Sequence, residues 1–129
     1  MSRPSFEEFS RLAEDLVDEI PPRLCRELNG GFVVSPEEKR DGEFYILGEY
    51  IEDEGFGRLI TLYYGSFATL LGEEELNVWQ EELRETIRHE LRHHLEALAG
   101  VDDLAREELQ ALAALLDHPR HHGDPFTKK

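Results

Sequence analysis

The chain has 129 residues, 40% of them apolar and 33% charged, enough for a single domain with one hydrophobic core and no covalent staples. Twenty-nine acids against 14 bases leave a net charge of −15, which repels phosphate backbones and argues against a nucleic-acid partner. No apolar run reaches the roughly 20 residues that span a bilayer, no secretory signal opens the chain, and the lone Cys25 excludes an internal disulfide; a cytoplasmic protein with no membrane partner is expected.

Ser5-Phe6-Glu7-Glu8 has the S-x-x-E pattern of a capping box. Beyond it Phe6, Phe9, Leu12, Ala13, Leu16, Val17 and Ile20 recur at three- and four-residue steps, one apolar stripe of a helix that Pro21-Pro22 ends. Pro22 opens a short second helix through Leu24, Cys25 and Leu28, stopped by Asn29-Gly30-Gly31. Cys25 reads as a small packed hydrophobe.

The hydrophobic period then changes. Phe32 to Val34 reads as a short strand closed by Ser35-Pro36, and Glu37 to Gly42 as a charged loop. Phe44 to Ile51 is richer in aromatic and β-branched residues, a turn spans Asp53 to Gly57, and Leu59 to Tyr64 makes a third strand. The last two strands suggest a hairpin, with Phe32 to Val34 added alongside, giving a small three-stranded, mostly antiparallel sheet. Phe67, Leu70 and Leu71 form a helical turn before Gly72.

Asn77-x-x-Gln80 is a second, weaker capping box, and a long helix is predicted from there to about Ala99. Gly100 ends it as a residue able to take φ > 0. A last helix carries Leu104, Leu109, Leu112, Ala113, Leu115 and Leu116, with Asp102 and Asp103 each a ready N-cap before it. The tail, residues 118–129, holds His118, His121 and His122 with two prolines and is expected to be disordered. The fold class is α+β, a single domain over residues 1–117 with N-terminal helices, the small sheet, the long helix and a C-terminal helix.

Inside the long helix His89, Glu90 and His93 spell H-E-x-x-H. Helical residues i and i+4 share a face at about 5–6 Å between Cβ atoms, so two imidazoles can grip one metal ion. Glu90 follows the first histidine, beside the metal, where it can take a proton from a bound water. At about 100° per residue His89 and His93 share a face adjoining the apolar stripe of Leu83, Ile87, Leu91, Leu95 and Leu98, and Glu90 falls between that face and the core. Glu96 also lies on the histidine face. It is about 10.5 Å along the axis from His89, so it reads as a supporting or surface acid rather than a ligand. His94 falls in the apolar stripe and reads as a satisfied core histidine or a support behind the ligands.

HELRHHLEALAGVDDL, with GEY at 48–50 and ITLYYGSF at 60–67, resembles the minimal zincin-like metallopeptidases, small bacterial zinc-dependent proteases, over most of the chain to about residue 117. The motif of that family is often H-E-x-x-H-x-x-G-x-x-D. The resemblance implies a minimal zincin-like fold, one Zn2+ ion held by His89 and His93, Glu90 as the catalytic base, and a peptide or protein substrate lying extended along one strand of 44–51 or 59–64 through backbone hydrogen bonds. Gly100 stands seven residues after His93 rather than three, and Asp103, three residues beyond it, matches the acid of the motif as third ligand. Asp102, Glu96 and a tail histidine are the alternatives.

Catalytic zinc keeps three protein ligands and an open position for water, and Glu90 would act as general acid and base in peptide hydrolysis. Charge developing on the carbonyl oxygen needs a further donor, for which Tyr63 and Tyr64 on the third strand are candidates. Two other readings stand beside hydrolysis. One is a weakly active or inactive metal-binding module whose zinc is structural. The other is an acidic interaction protein without metal.

Overall fold

The computed structural model describes residues 3–55 and 57–100. Its first helix, α1 (Phe6–Asp18), begins where the sequence predicts: the Glu8 amide donates to Ser5 Oγ at 3.1 Å, and the Ser5 amide donates to the Glu8 carboxylate at 2.8 Å. These bonds satisfy donors that a first helical turn otherwise leaves unused. Phe9, Ala13 and Leu16 of the stripe are buried, with Leu12, Val17 and Ile20 packed at the margin of the core. The short second helix is smaller than expected, a 3-10 turn over Pro22–Cys25. Arg26 is extended and Glu27 turns to a φ of 66°, so the helix cannot continue to Leu28, which is nonetheless buried.

Five strands follow: β1 (Gly31–Ser35), β2 (Lys39–Asp41), β3 (Phe44–Ile46), β4 (Gly48–Asp53) and β5 (Gly57–Tyr63). The main sheet has the order β1-β5-β4. β4 and β5 form the expected antiparallel hairpin, Gly48 opposite Leu62 and Asp53 opposite Gly57. β1 runs parallel to β5, Gly31 opposite Leu59, so the sheet is mixed rather than mostly antiparallel.

Two expectations about the middle of the chain need correction. The charged loop contains β2, which pairs with β3 in a separate two-stranded sheet, and the strand expected over 44–51 breaks at Leu47 into β3 and β4. Lys39-Arg40-Asp41 has no strand signal of its own. What holds it is the Ser66 hydroxyl, which accepts from the Lys39 amide at 2.8 Å and donates to the Lys39 carbonyl at 3.0 Å.

Tyr64 opens a helix, α2 (Tyr64–Leu71), instead of closing the strand before it. Phe9, Tyr64, Phe67 and Trp79 meet in an aromatic cluster, Phe9 and Phe67 with centroids 5.0 Å apart. The long helix, α3 (Leu76–Ala99), begins one residue before Asn77, with Glu75 as an N-cap that makes no side-chain bond. The Asn77 capping box therefore does not form, because burial of Trp79 fixes the first turn and draws Asn77 inside it. At the far end Gly100 caps the helix with a φ of −72°, not the positive φ expected of it. Leu83, Ile87, Leu91, Leu95 and Leu98 are all buried, as their spacing predicts.

The fold is thus α+β. No described helix is long and apolar enough to cross a membrane. Asp102, Asp103, the predicted C-terminal helix and the histidines of the tail lie outside the described residues.

Candidate metal centre

Strand β4 lies against α3, with Gly48 and Tyr50 among its residues in contact. Gly48 has no side chain to offer: a Cβ there would stand 2.6 Å from Cγ2 of Thr86 and 3.4 Å from Cγ of Glu90. Two residues on, and so on the same face of the strand, the Tyr50 ring sits 5.4 Å from the His94 ring. Both contacts escape a reading of the sequence, although the period of two in Gly48-Glu49-Tyr50 places the first and third on one face.

His94 is fully buried and satisfied at both nitrogens. Its Nε2 is 2.8 Å from the Arg26 carbonyl, which can only accept, so Nε2 carries the hydrogen and Nδ1, 3.0 Å from the Tyr50 hydroxyl, accepts. Burial lowers its pKa, against the opposing pull of the Arg26 carbonyl. This is the neutral core histidine among the two expected roles, and it ties α3 to both β4 and the turn after the 3-10 helix. Burial, then Glu52, pushes the Tyr50 phenol up to about 12.

His89 and His93 lie on the more open side of α3. Their Nε2 atoms are 3.2 Å apart, with ring centroids at 4.7 Å and planes at 85°. Two nitrogens bound tetrahedrally to one zinc at about 2.0–2.1 Å stand about 3.3–3.4 Å from each other, so the pair is spaced for a shared ion. Glu90 is 2% exposed. One ligand atom from each of His89, Glu90 and His93 falls within 4.8 Å of the others, the one such group of three among the described residues. Two imidazole nitrogens so placed suit a zinc ion, and the Glu90 carboxylate stands beside them in the same group.

Glu96 is one turn beyond His93, with Oε1 3.5 Å from His93 Nδ1, the ring nitrogen other than the one facing His89. It stands behind the imidazole rather than beside the pair. Asp103 and Asp102, the favoured third ligands, fall outside the described residues.

The two tyrosines are not brought to this group. Leu62 pairs with Gly48 on the α3 face of the sheet, so Tyr63 points to the opposite face. There its hydroxyl donates to Glu49 at 2.7 Å, and Lys39 reaches the same carboxylate oxygen at 2.6 Å. Burial, then that hydrogen bond, pushes the Tyr63 phenol up to about 12. Tyr64 donates to the Pro4 carbonyl at 2.6 Å and packs against Phe6 and Phe9. The strands differ as well: β5 is paired on both sides, whereas β4 pairs with β5 along one edge only among the described residues.

Fold and site together define a small α+β protein with a His-Glu-His group on the longest of its described helices, beside an edge strand of the described sheet. A solved structure, the conserved hypothetical protein TTHA0227 from Thermus thermophilus, is 41% identical and superposes with a TM-score of 0.66, over 76% of this chain and 100% of that one. The chain belongs to the same family as that protein. No family model matches it, and neither does any curated protein.

Proposed function

We propose that this protein is a zinc-dependent metallopeptidase of the minimal zincin-like type. The observation that carries the reading is the spacing of His89 and His93, Nε2 to Nε2 at 3.2 Å, with the buried Glu90 carboxylate in the same group. His89 and His93 would hold the ion, with the third protein ligand coming from Asp103. When bound there, zinc supplies a Lewis acid that lowers the pKa of a water toward about 7. Glu90 takes a proton from the attacking water and returns it to the departing amine. Glu90 is buried, which shields its carboxylate from bulk solvent. For an extended peptide, the segment 44–51 is favoured over 59–64: among the described residues β4 pairs with a strand along one edge, whereas β5 is paired along both.

The test uses the full chain purified without a histidine tag. The expected result is about one zinc per chain, and cleavage of a mixed peptide library that Glu90→Gln abolishes while keeping its zinc. Absence of stoichiometric zinc ends the reading. Zinc whose chelation lowers the melting temperature, with no Glu90-dependent cleavage, replaces it with a structural metal site.

A further inference from the structure

We infer that this protein self-associates through the outer edge of β1, two copies pairing their β1 strands antiparallel about a twofold axis at Val33. The inference does not depend on the metal reading. In the sheet order β1-β5-β4, β1 is an edge strand among the described residues, on the side away from β4. Its sequence, Gly-Phe-Val-Val-Ser, is the one in that sheet without a charged side chain. Exposed edges of this kind are what folded proteins usually cover, pair or charge.

The register decides which backbone groups the edge offers. The Tyr63 amide donates to the Leu47 carbonyl at 2.9 Å, so Tyr63, and with it Thr61 and Leu59, turns its N–H and C=O toward β4. Arg58, Ile60 and Leu62 turn theirs toward β1, and the Arg58 carbonyl accepts from the Gly30 amide at 2.8 Å. β1 runs parallel to β5 with Val33 beside Thr61, so the two strands alternate in step. Val33 therefore bonds to β5, while Phe32 and Val34 present N–H and C=O to the open edge. Among the described residues those groups have no partner. Pro36 has no N–H and ends the stretch that can pair.

These groups fit a second copy of themselves. In an antiparallel pair centred on Val33, Phe32 of each copy stands opposite Val34 of the other, and each such pair exchanges both of its hydrogen bonds. Val33 then faces Val33 at a non-hydrogen-bonded position, where side chains come closest. That side chain is 41% exposed in the single chain, so the pairing removes apolar surface from water. Gly31 stands opposite Ser35, and no like charges meet. Charge decides the occupant and the edge: at a net −15 most surfaces of this chain repel their copies, and β4 paired with itself would bring Glu49, Glu52 and Asp53 together. Pairing through β1 leaves β4 at the far edge of each sheet.

The test is analytical ultracentrifugation of the full chain, with amide hydrogen exchange followed by NMR. A pairing this short lies at the small end of protein interfaces, below roughly 1,200 Å², so a weak dimer forming between about 10 µM and 1 mM is expected. Over that range the Phe32 and Val34 amides become protected, whereas the Val33 amide, bonded to β5, is protected throughout. Val33→Lys and Val33→Glu each place like charges face to face and weaken association by about tenfold or more, with the melting temperature of the dilute protein unchanged. Mixing the two variants in equal amounts restores the dimer, because opposite charges then meet. A wild type that stays monomeric to about 1 mM overturns the inference, and so does a dimer that either variant leaves intact. Exchange at Phe32 and Val34 that ignores concentration overturns it as well, and that measurement on the wild type decides the matter even where a variant fails to fold.

Discussion

A methyl group on Gly48 would overlap the methyl group of Thr86, with Cβ and Cγ2 at 2.6 Å. The strand that roofs the candidate site can approach α3 this closely only because one residue has no side chain. Gly48→Ala is expected to cost about 1–3 kcal/mol, the usual range for overpacking a filled interior. Thr86→Ser removes the opposing methyl while keeping the hydroxyl that donates to the Glu82 carbonyl at 2.8 Å. Adding it to Gly48→Ala should recover most of the loss. Urea unfolding of the two single variants and the double measures the coupling, and purely additive losses would refute the contact.

How much of this could be read from the residues depends on how local each interaction is. Ser5 and Glu8 cap α1 with partners three residues apart, and His89 and His93 converge because a helix puts i and i+4 together; both are visible in the sequence. Lys39 is held in β2 by Ser66, 27 residues away, so no local signal marks that strand. Tyr63 and Tyr64 are adjacent, yet one ends β5 and the other opens α2, and neither reaches the histidines. The fate of their hydroxyls turns on Glu49 and Pro4, partners that only the folded chain supplies. Gly48 carries no trace in the sequence of the helix pressed against it.

The capping box of α1 predicts a coupled pair. Ser5→Ala removes the acceptor for the Glu8 amide and should cost about 1 kcal/mol. Glu8→Ala removes the acceptor for the Ser5 amide, a smaller loss because that end of the helix is open to water. The two bonds are reciprocal, so the double variant should lose less than the sum of the singles. Chemical denaturation of the three variants gives the coupling, and strict additivity would mean the two bonds act independently.

His94 predicts a dependence on pH with a definite sign. Burial lowers its pKa below the ordinary 6.5, so the unfolded chain binds a proton more readily than the folded one. The contribution of neutral His94 is fully present above about 6.5 and is lost as pH falls below that toward the folded value. Tyr50→Phe should cost about 1–2 kcal/mol, because it leaves Nδ1 of a fully buried ring without its donor. His94→Gln should be less stable than wild type at pH 7.5, with the gap narrowing on acidification to pH 5. Thermal melts of both proteins across that range test it; a gap that widens toward acid would mean that His94 is charged in the fold.

The last prediction separates metal binding from folding. Strand β4 is keyed to α3 by Gly48 and by the bond between Tyr50 and His94, neither of which uses the ring of His89 or His93. The fold should therefore persist without metal, and the two histidines should be replaceable at small cost to the metal-free protein. A ligand that binds only the folded state stabilises it by about 2.7 kcal/mol at a concentration 100-fold above its dissociation constant. Zinc should raise the melting temperature of the wild type and of Glu90→Gln, and leave His89→Ala and His93→Ala unmoved. Calorimetric scans of the four proteins, with zinc and then with a chelator, give the comparison. A wild type that unfolds cooperatively only with zinc would contradict the argument from β4, because the metal would then be holding the helix in place and not merely occupying a site the helix already presents.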